Sequence, residues 1–193
     1  MLNGKVAIFG GSFDPIHFGH QAVCFWLKDV LNCNSIELVP TYQHIFGKHL
    51  ESFENRLHMC YLAAQNMREY VHVSDVEIRL PIPNTTYNLL DYFKTLYGSF
   101  ASLVCVIGSD CLADIIKWHK WDKLSSLAEI LVVDRPGNEN IVAPFPVLRY
   151  PLNITPTSSS VVREAIKEGK SIEGLVSHQV ADYIYKNKLY EVK

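Results

Sequence analysis

Short apolar runs alternate along the chain with stretches whose apolar residues recur every three or four positions. The runs predict buried β-strands at 6–9, 36–39, 71–78, 103–107, 130–133 and 147–150. The recurring positions predict helices at 21–31, 52–67, 86–98, 161–167 and 180–185. Because strands and helices alternate, we expect an α/β fold in which a doubly wound parallel sheet carries helices on both faces.

Two of the predicted helices begin at recognisable capping residues. Ser52 stands at the N-cap of the second helix, on which Leu57, Tyr61 and Ala64 are expected to point inward. Thr86 stands at the N-cap of the third helix. These positions fix where each helix should enter the fold and which side chains should meet the core.

The composition fits one globular domain covering residues 1–193. Hydrophobic residues make up 48% of the chain and the net charge is -2, so the overall positive charge of a nucleic-acid-binding protein is absent. No apolar stretch approaches the length that spans a membrane, and we expect no membrane contact. The five cysteines form no C-x-x-C pair, which disfavours a disulfide framework or a zinc ribbon and favours a cytoplasmic protein.

The motif GGSFDPIHFGH, at 10–20, connects the first predicted strand to the first predicted helix. Ligands of parallel sheets bind beyond the carboxyl ends of the strands, so the motif stands where a binding site is expected. We expect Gly10 and Gly11 to let the chain turn sharply toward a ligand. The helix that starts near Gly19 offers backbone N–H groups to a phosphate.

His17 and His20 lie three positions apart, on one face of the predicted helical turn. With Gly19 between them, the two imidazoles can approach the oxygens of one phosphate. A single histidine is more often an ordinary surface or core residue, and a metal site is disfavoured because no third ligand stands at a useful spacing. The spacing of a G-x-G-x-x-G dinucleotide motif is absent.

A second motif, TSSSVVR at 157–163, is a run of hydroxyl residues that enters a predicted helix. Hydroxyl groups and the free amides of a helix N-terminus together bind phosphate. Arg163 lies one turn beyond Ser160 and can reach the same anion through two N–H groups. Taken alone, the run also fits a capped surface helix with a solvated arginine.

Together the two motifs resemble the signatures of the H-x-G-H nucleotidyltransferase superfamily. The first signature, G-x-F-x-P-x-H-x-G-H, is matched at every fixed position from Gly11 to His20. The second, I-S-S-T-x-I-R, is matched at its two serines and its arginine, whereas Thr157, Ser160 and Val162 depart from it. With this resemblance we expect the sheet to be Rossmann-like and its crevice to bind ATP.

The resemblance and the chemistry of the two motifs assign roles to individual residues. The expected catalytic residues are His17, His20 and Arg163. The residues expected to bind ATP or its phosphates are Gly10, Gly11, Ser12, Phe13, Gly19, Lys48, Gly108, Asp110, Ser158, Ser159 and Ser160. Of these, Lys48 belongs to a polar segment at 41–50 that we expect to be a mobile loop, and Asp110 ends a predicted strand near the site.

The middle and the end of the chain resemble the nicotinate-mononucleotide adenylyltransferases. The matching segments are IGSD at 107–110, WHKW at 118–121, VVDRPG at 132–137, and VADYI at 180–184 followed by LY at 189–190. Thr86 and Leu90 resemble the threonine and leucine of the family's S-Y-T-x-x-T-L segment, from which Thr85 and Leu89 depart. The resemblance covers nearly the whole chain.

Three residues, Thr86, Trp118 and Arg135, are expected to bind the mononucleotide. The family resemblance implies that Trp118 stacks on the pyridine ring, as suits a flat aromatic partner, whereas Trp121 is expected to lie in the core. At a helix N-cap, Thr86 would bring backbone N–H groups to the nicotinate carboxylate.

The sequence therefore predicts an enzyme of NAD biosynthesis that transfers AMP from ATP to nicotinate mononucleotide and releases pyrophosphate. Mg²⁺ is expected as a cofactor, held mainly by the phosphates of ATP and not by a metal site of the protein. The alternatives are transfer to nicotinamide mononucleotide or phosphopantetheine, a cytidylyltransferase, and a non-catalytic nucleotide-binding protein. The oligomeric state is left open, and a homo-oligomer is among the states that the sequence allows.

Overall fold

The computed structural model describes residues 4–43, 49–135, 137–138, 140–151 and 157–191. Its strands are β1 Gly4–Gly11, β2 Cys33–Pro40, β3 Val71–Val73, β4 Ala101–Gly108, β5 Glu129–Asp134 and β6 Leu148–Pro151. Its α-helices are α1 Phe18–Asp29, α2 Phe53–Ala63, α3 Thr86–Tyr97, α4 Leu124–Leu127, α5 Ser159–Lys167 and α6 His178–Lys186. Short 3₁₀ helices lie at Gln65–Met67, Val76–Arg79, Gly98–Phe100, Ser109–Lys117 and Trp121–Lys123.

The strands form one parallel sheet in the order β3-β2-β1-β4-β5-β6. The chain leaves β1 toward β2 and β3, and then returns to place β4 on the other side of β1. A crevice opens beyond the carboxyl ends of β1 and β4, at the point where the winding reverses. The predicted α/β, Rossmann-like sheet is confirmed, and the 10–20 motif enters the crevice because it continues directly from β1.

Helices cover both faces of the sheet, as predicted. Ala7 and Phe9 of β1 face a first apolar cluster that includes residues of α1, α2, α5 and α6. Val6 and Ile8 face a second cluster that includes residues of α3 and α4. Successive strand residues therefore alternate between two buried faces, which is why the strands read as continuous apolar runs. Among the described residues, no helix is long and apolar enough to cross a membrane.

The segment predicted as a strand over 71–78 is a strand for only part of its length. β3 ends at Val73, where its pairing with β2 stops, and Val76–Arg79 is a 3₁₀ helix. Val76 nevertheless packs into the second cluster. Its burial extends the apolar pattern beyond the end of the strand, and this explains the wrong prediction.

The N-cap of α3 is Thr85, and the prediction of Thr86 is wrong by one residue. Thr85 has an extended backbone, with φ −122° and ψ 150°, and its Oγ1 accepts the N–H of Asn88 at 3.2 Å. Thr86 is already helical. Gly98 ends the helix as expected, with a φ of 60° that disfavours residues other than glycine.

Ser52 caps α2 as predicted, but the inward face of this helix is rotated from the predicted one. Ala64 is buried, whereas Leu57 is only half-buried and Tyr61 is 47% exposed. The side of α2 that faces the protein carries Arg56, which is 1% exposed. A charged residue at a core position misleads a search based on apolar residues alone.

Candidate active site

The chain turns out of β1 at Phe13 and not at the two glycines. Gly10 and Gly11 remain within the strand, so the prediction that they make the sharp turn is wrong. Phe13 has a φ of 45°, in the left-handed region that side chains normally avoid. A Cβ on Gly11 would lie 3.1 Å from the ring of Phe13. Gly11 therefore makes room for the ring of the residue that turns.

The left-handed backbone of Phe13 is held by packing. Its ring is 2% exposed. It makes an edge contact with Phe9 at 5.4 Å between ring centroids and another with His20 at 4.9 Å. Backbone strain of this kind persists where the surrounding structure determines it, and it concentrates at functional sites.

The side chain of His17 caps the N-terminus of α1. Its Nδ1 accepts the backbone N–H of Gly19 at 3.1 Å. A Cβ at position 19 would lie 2.9 Å from the imidazole, closer than packed atoms allow. Gly19 is therefore required so that the His17 ring can fold back over the first turn of the helix.

His20 completes a reciprocal arrangement, because its Nδ1 accepts the backbone N–H of His17 at 3.2 Å. A neutral imidazole whose Nδ1 is an acceptor carries its hydrogen on Nε2. Each ring therefore keeps an Nε2–H donor. The two rings are 3.7 Å apart between centroids and tilted by 31°, so both donors lie in one small volume.

Both histidines are held in the neutral form. Burial lowers the pKa of His17 to about 3, and the charge of Arg135 acts in the same direction. Burial also lowers the pKa of His20 well below its ordinary value, with further contributions from His17 and Arg135. The tautomer set by the backbone contacts is thus the form present at neutral pH.

The second motif lies beside the first. Ser158 is the N-cap of α5, and its Oγ accepts the N–H of Val161 at 3.2 Å and lies 2.8 Å from the Oγ of Ser160. The hydroxyl of Ser159 donates to the carbonyl of Pro15 at 2.9 Å. This bond joins the two motifs, although 144 residues separate the partners in sequence.

Arg163 is bound to the first motif through Asp14. Its Nη1 donates to the Asp14 carbonyl oxygen at 2.6 Å and lies 3.8 Å from the carboxylate oxygen Oδ2. The guanidinium is therefore held against the loop that carries the histidines. Asp14, which is 3% exposed, was not predicted as a functional residue.

Gly108, Asp110 and Arg135 meet where β4 and β5 end. Arg135 forms an ion pair with Asp110 at 3.0 Å, and its backbone N–H donates to the buried Oγ of Ser109 at 2.8 Å. A Cβ on Gly108 would collide with Asp110 and would lie 2.9 Å from Nε of Arg135. The charge of Arg135 also lowers the pKa of both histidines, so this residue lies close enough to the histidine pair to act on it electrostatically.

Two of the three residues predicted for the mononucleotide, Thr86 and Trp118, lie at or beside the first turn of α3, whereas Arg135 follows the end of β5. A Cβ on Gly10 would be 3.7 Å from Leu89 of α3, so this helix begins beside the end of β1. The Trp118 side chain is half-buried against the second cluster. Its neighbour Lys120 places Nζ 4.2 Å from the ring centroid of Tyr87, which holds the Trp118 segment against the turn that contains Thr86.

Three helices, α1, α3 and α5, begin close to this crevice, and none has an acidic residue in its first turn. α4 and α6 also lack one, and α2 carries Glu54 there. An acidic side chain at a helix N-terminus is usually stabilising, because it meets the positive end of the helix dipole. Leaving it out at all three sites preserves positive potential for an anionic ligand.

Arg56 supports the site from behind and was not predicted. Its guanidinium donates to the carbonyl oxygens of Ser12 and Thr41, each at 2.7 Å, and Nε donates to that of Glu51 at 2.8 Å. One buried cation thus joins the first motif to both ends of the segment between Thr41 and Glu51. Lys48, predicted to bind phosphate, lies outside the described residues.

The class of the chain follows from a family comparison. Residues 8–165 match the family described as cytidylyltransferase-like. The match covers most of the chain and contains the whole first motif and the second motif through Arg163. The protein is therefore a cytidylyltransferase-like nucleotidyltransferase.

Relatives matched over nearly their whole length define the family more narrowly. A probable nicotinate-nucleotide adenylyltransferase of Anaeromyxobacter dehalogenans (strain 2CP-C) is 34% identical, over 96% of this chain and 96% of the relative. One of Dehalococcoides mccartyi (strain ATCC BAA-2100 / JCM 16839 / KCTC 5957 / BAV1) is 32% identical, over 98% of each. The chain belongs to the nicotinate-nucleotide adenylyltransferase family.

Solved structures with a similar fold also include nicotinic acid mononucleotide adenylyltransferases. Plasmodium falciparum nicotinic acid mononucleotide adenylyltransferase complexed with NaAD superposes with a TM-score of 0.80, at 24% identity, over 97% of both chains. The same protein complexed with APC gives a TM-score of 0.75 over 96% of both chains. At this identity the likeness concerns the fold.

Proposed function

We propose that this protein transfers the AMP part of ATP to the 5′-phosphate of nicotinate mononucleotide, giving nicotinate adenine dinucleotide and pyrophosphate. The observation that carries the proposal is the pair of imidazoles at the start of α1, each of which accepts a backbone N–H on Nδ1 and so keeps Nε2 as a donor. Membership of the nicotinate-nucleotide adenylyltransferase family supports the choice of acceptor.

The reaction needs no general base. The second pKa of a phosphate monoester is about 6, so the attacking phosphate is already mostly ionised at neutral pH. One of its oxygens forms a bond to the α-phosphorus of ATP. The bond between that phosphorus and the bridging oxygen breaks, and pyrophosphate leaves with the electron pair. The work of the protein is to align two polyanions and to stabilise the charge of the transition state.

The chain's own donors suit that work. His17 and His20 present N–H groups that need no change in protonation, and Arg163 adds a fixed positive charge beside them. The N-termini of α1 and α5 add backbone N–H groups and the positive ends of their dipoles. Preorganised donors of this kind usually make the largest contribution to catalysis of charge-developing reactions.

The acceptor site is proposed at the first turn of α3. Trp118 would stack on the pyridine ring, and the backbone N–H groups behind Thr85 would bind the carboxylate of nicotinate. Although the N-cap is Thr85 and not the predicted Thr86, Thr86 still lies in the first turn of the helix. A helix N-terminus favours an anion, so nicotinate should bind there better than the neutral nicotinamide.

Mg²⁺ is proposed to arrive with ATP, bound to phosphate oxygens and water, and it would then neutralise charge on the phosphates. The described residues contain no group of three His, Cys, Asp or Glu side chains that could hold a metal ion. Asp110 is paired with Arg135, and Asp14 is buried among protein donors. These residues do not fit a resident metal site.

We propose that the protein works in the cytoplasm. All five of its cysteines are free thiols, and four of them are buried. Unpaired buried cysteines are typical of proteins that fold and work in a reducing compartment.

The deciding experiment supplies ATP with nicotinate mononucleotide, nicotinamide mononucleotide or phosphopantetheine, and CTP in place of ATP as a further arm, and measures pyrophosphate release. We expect turnover with ATP and nicotinate mononucleotide and a lower specificity constant with the nicotinamide form. Faster turnover with phosphopantetheine as acceptor, or with CTP as donor, than with ATP and nicotinate mononucleotide would contradict the proposed reaction. ATP binding without turnover on any acceptor would indicate a non-catalytic nucleotide-binding protein.

A further inference from the structure

Asp14 lies at the centre of a buried polar network that joins three distant parts of the chain. Its Oδ1 accepts the hydroxyl of Tyr190 at 2.9 Å and the backbone N–H of Glu51 at 3.1 Å. Its carbonyl oxygen accepts Nη1 of Arg163 at 2.6 Å. A carboxylate that is 3% exposed needs such donors, because a buried charge without partners is costly.

Tyr190 reaches this carboxylate through a specific path of the backbone after α6. Lys188 and Tyr190 both lie in the left-handed region, with φ of 50° and 66°, and Leu189 between them is 7% exposed. The chain is thus bent at two residues on either side of an apolar anchor. That bend places the Tyr190 hydroxyl on a residue 176 positions earlier in the sequence.

The hydroxyl of Tyr190 remains a proton donor at neutral pH. Burial raises the pKa of Tyr190 well above its ordinary value, and the negative charge of Asp14 raises it further. The proton therefore stays on the phenol, and the carboxylate stays the acceptor. In this hydrogen bond Tyr190 is always the donor and Asp14 the acceptor.

We propose that Tyr190 is a positioning residue for adenylyl transfer, whose hydroxyl fixes Asp14 so that Asp14 in turn holds Arg163 toward the phosphates. The proposal rests on the function proposed above and extends its site to the segment after α6. Tyr190 acts through Asp14 and touches neither substrate.

The test compares Tyr190→Phe with Tyr183→Phe. The Tyr183 hydroxyl also donates a partly buried hydrogen bond, to Oδ1 of Asn55 at 2.7 Å. The control variant therefore loses the same chemical group from the same part of the chain. We expect Tyr190→Phe to lower kcat/KM for ATP roughly tenfold to a hundredfold, the size expected for one lost hydrogen bond to a charged group. The KM for nicotinate mononucleotide and all constants of Tyr183→Phe should stay within about twofold of the wild type.

A double-mutant cycle with Arg163→Ala separates positioning from a general structural effect. If Tyr190 acts through Arg163, Tyr190→Phe should cause no further loss once Arg163 is alanine. An undiminished loss in that background would overturn the proposal, as would unchanged ATP kinetics in Tyr190→Phe alone.

ATP binding measured in the absence of any acceptor tests the role of Tyr190 separately from the proposed function. A wild type that binds ATP but turns over no mononucleotide would defeat the proposed reaction. The ATP dissociation constants of Tyr190→Phe and Arg163→Ala, singly and combined, would still show whether the two residues are coupled. Thermal melting of each variant verifies that the compared proteins are folded.

Discussion

The imidazoles of His17 and His20 lie with their centroids 3.7 Å apart, and each accepts a backbone N–H on Nδ1. The backbone of the helix start therefore sets the tautomer of both rings. Because the rings are neutral, neither repels the other, and two donors can occupy a volume that would not hold two imidazolium cations.

Replacing His20 by alanine should remove most of the turnover and leave the protein folded. Losing one preorganised donor to a developing charge costs on the order of 10²–10³ in kcat. The measurement is kcat with both substrates saturating, together with a thermal melting curve. His178→Ala is the matched control, since His178 is an exposed histidine paired with Asp182 on α6. A folded His20→Ala protein with near-normal kcat would contradict the role of this ring.

Stability should fall as the pH is lowered from about 6.5 toward 3. The folded-state pKa of His17 is about 3, below its ordinary value of 6.5, and that of His20 is also lowered. In this range the unfolded chain binds more protons than the folded one, so acid favours unfolding. Each such histidine contributes a slope of roughly 1.4 kcal/mol per pH unit.

Urea unfolding at several pH values measures this slope. His17→Gln should remove the contribution of one histidine, so its stability should depend less steeply on pH between about 6.5 and 4. The exposed-site variant His178→Gln is the control and should keep the slope of the wild type. Equal slopes in His17→Gln and the wild type would mean that His17 titrates normally in the folded state.

Arg163→Lys should impair the use of ATP more than the use of the mononucleotide. Nη1 of the guanidinium donates to the Asp14 carbonyl, and the planar group carries further N–H donors in a fixed fork, which the point charge of an ammonium cannot replace. The two Michaelis constants and kcat, determined separately, test this. Unaffected ATP kinetics would return Arg163 to the role of a structural contact of Asp14.

Trp118→Ala should weaken the handling of both pyridine mononucleotides without weakening ATP binding. Stacking does not depend on the ring substituent, so the preference for nicotinate must come from donors near the start of α3. Leaving one buried donor unpaired by the amide costs roughly 1–3 kcal/mol, about tenfold to a hundredfold in specificity constant.

Trp121→Ala provides the comparison for Trp118. Its ring stacks on Phe145 at 6.3 Å and packs against the second cluster, so its loss should lower the melting temperature rather than raise the KM for mononucleotides selectively. Equal specificity constants for the two mononucleotides in the wild type would defeat the carboxylate argument. A defect confined to ATP in Trp118→Ala would defeat the stacking role.

Arg56→Met should destabilise the fold by at least about 2 kcal/mol, because it leaves three carbonyl oxygens without the donor that they share. Urea unfolding measures the loss. Arg68→Met, at an exposed position just after the 3₁₀ helix Gln65–Met67, should stay within about 0.5 kcal/mol of the wild type. If both variants lost the same small amount, the Arg56 bonds would add little to stability.

The sequence was sufficient for the sheet and for the centre of the site because both are encoded locally. The central strands β1, β4 and β5 contain apolar runs, and the motif that holds His17 and His20 is contiguous. Local patterns placed the start of α3 to within one residue, at Thr85 and Thr86, since two adjacent threonines can both cap, but they placed the start of α1 three residues too late. The patterns gave a wrong strand end at Val76, because this residue is buried but lies in a 3₁₀ helix and not in a strand.

The supporting residues were missed because their partners are remote. The Tyr190 hydroxyl meets Asp14 across 176 positions, and no local pattern links the two. Arg56 did leave a signal, since it occupies an inward position of α2 next to buried neighbours. A hydrophobicity pattern does not identify this position as buried, because it counts a charged residue as exposed.

The N-cap of α1 is a histidine, at a position where serine, threonine, aspartate or asparagine usually stabilise a helix most. The group that starts the helix is thus the same group that is proposed to act on phosphate. A substitution that improves the cap would remove the donor, and a bulkier residue at position 19 would displace the ring. The start of this helix is therefore a place where gains in stability and retention of activity oppose each other.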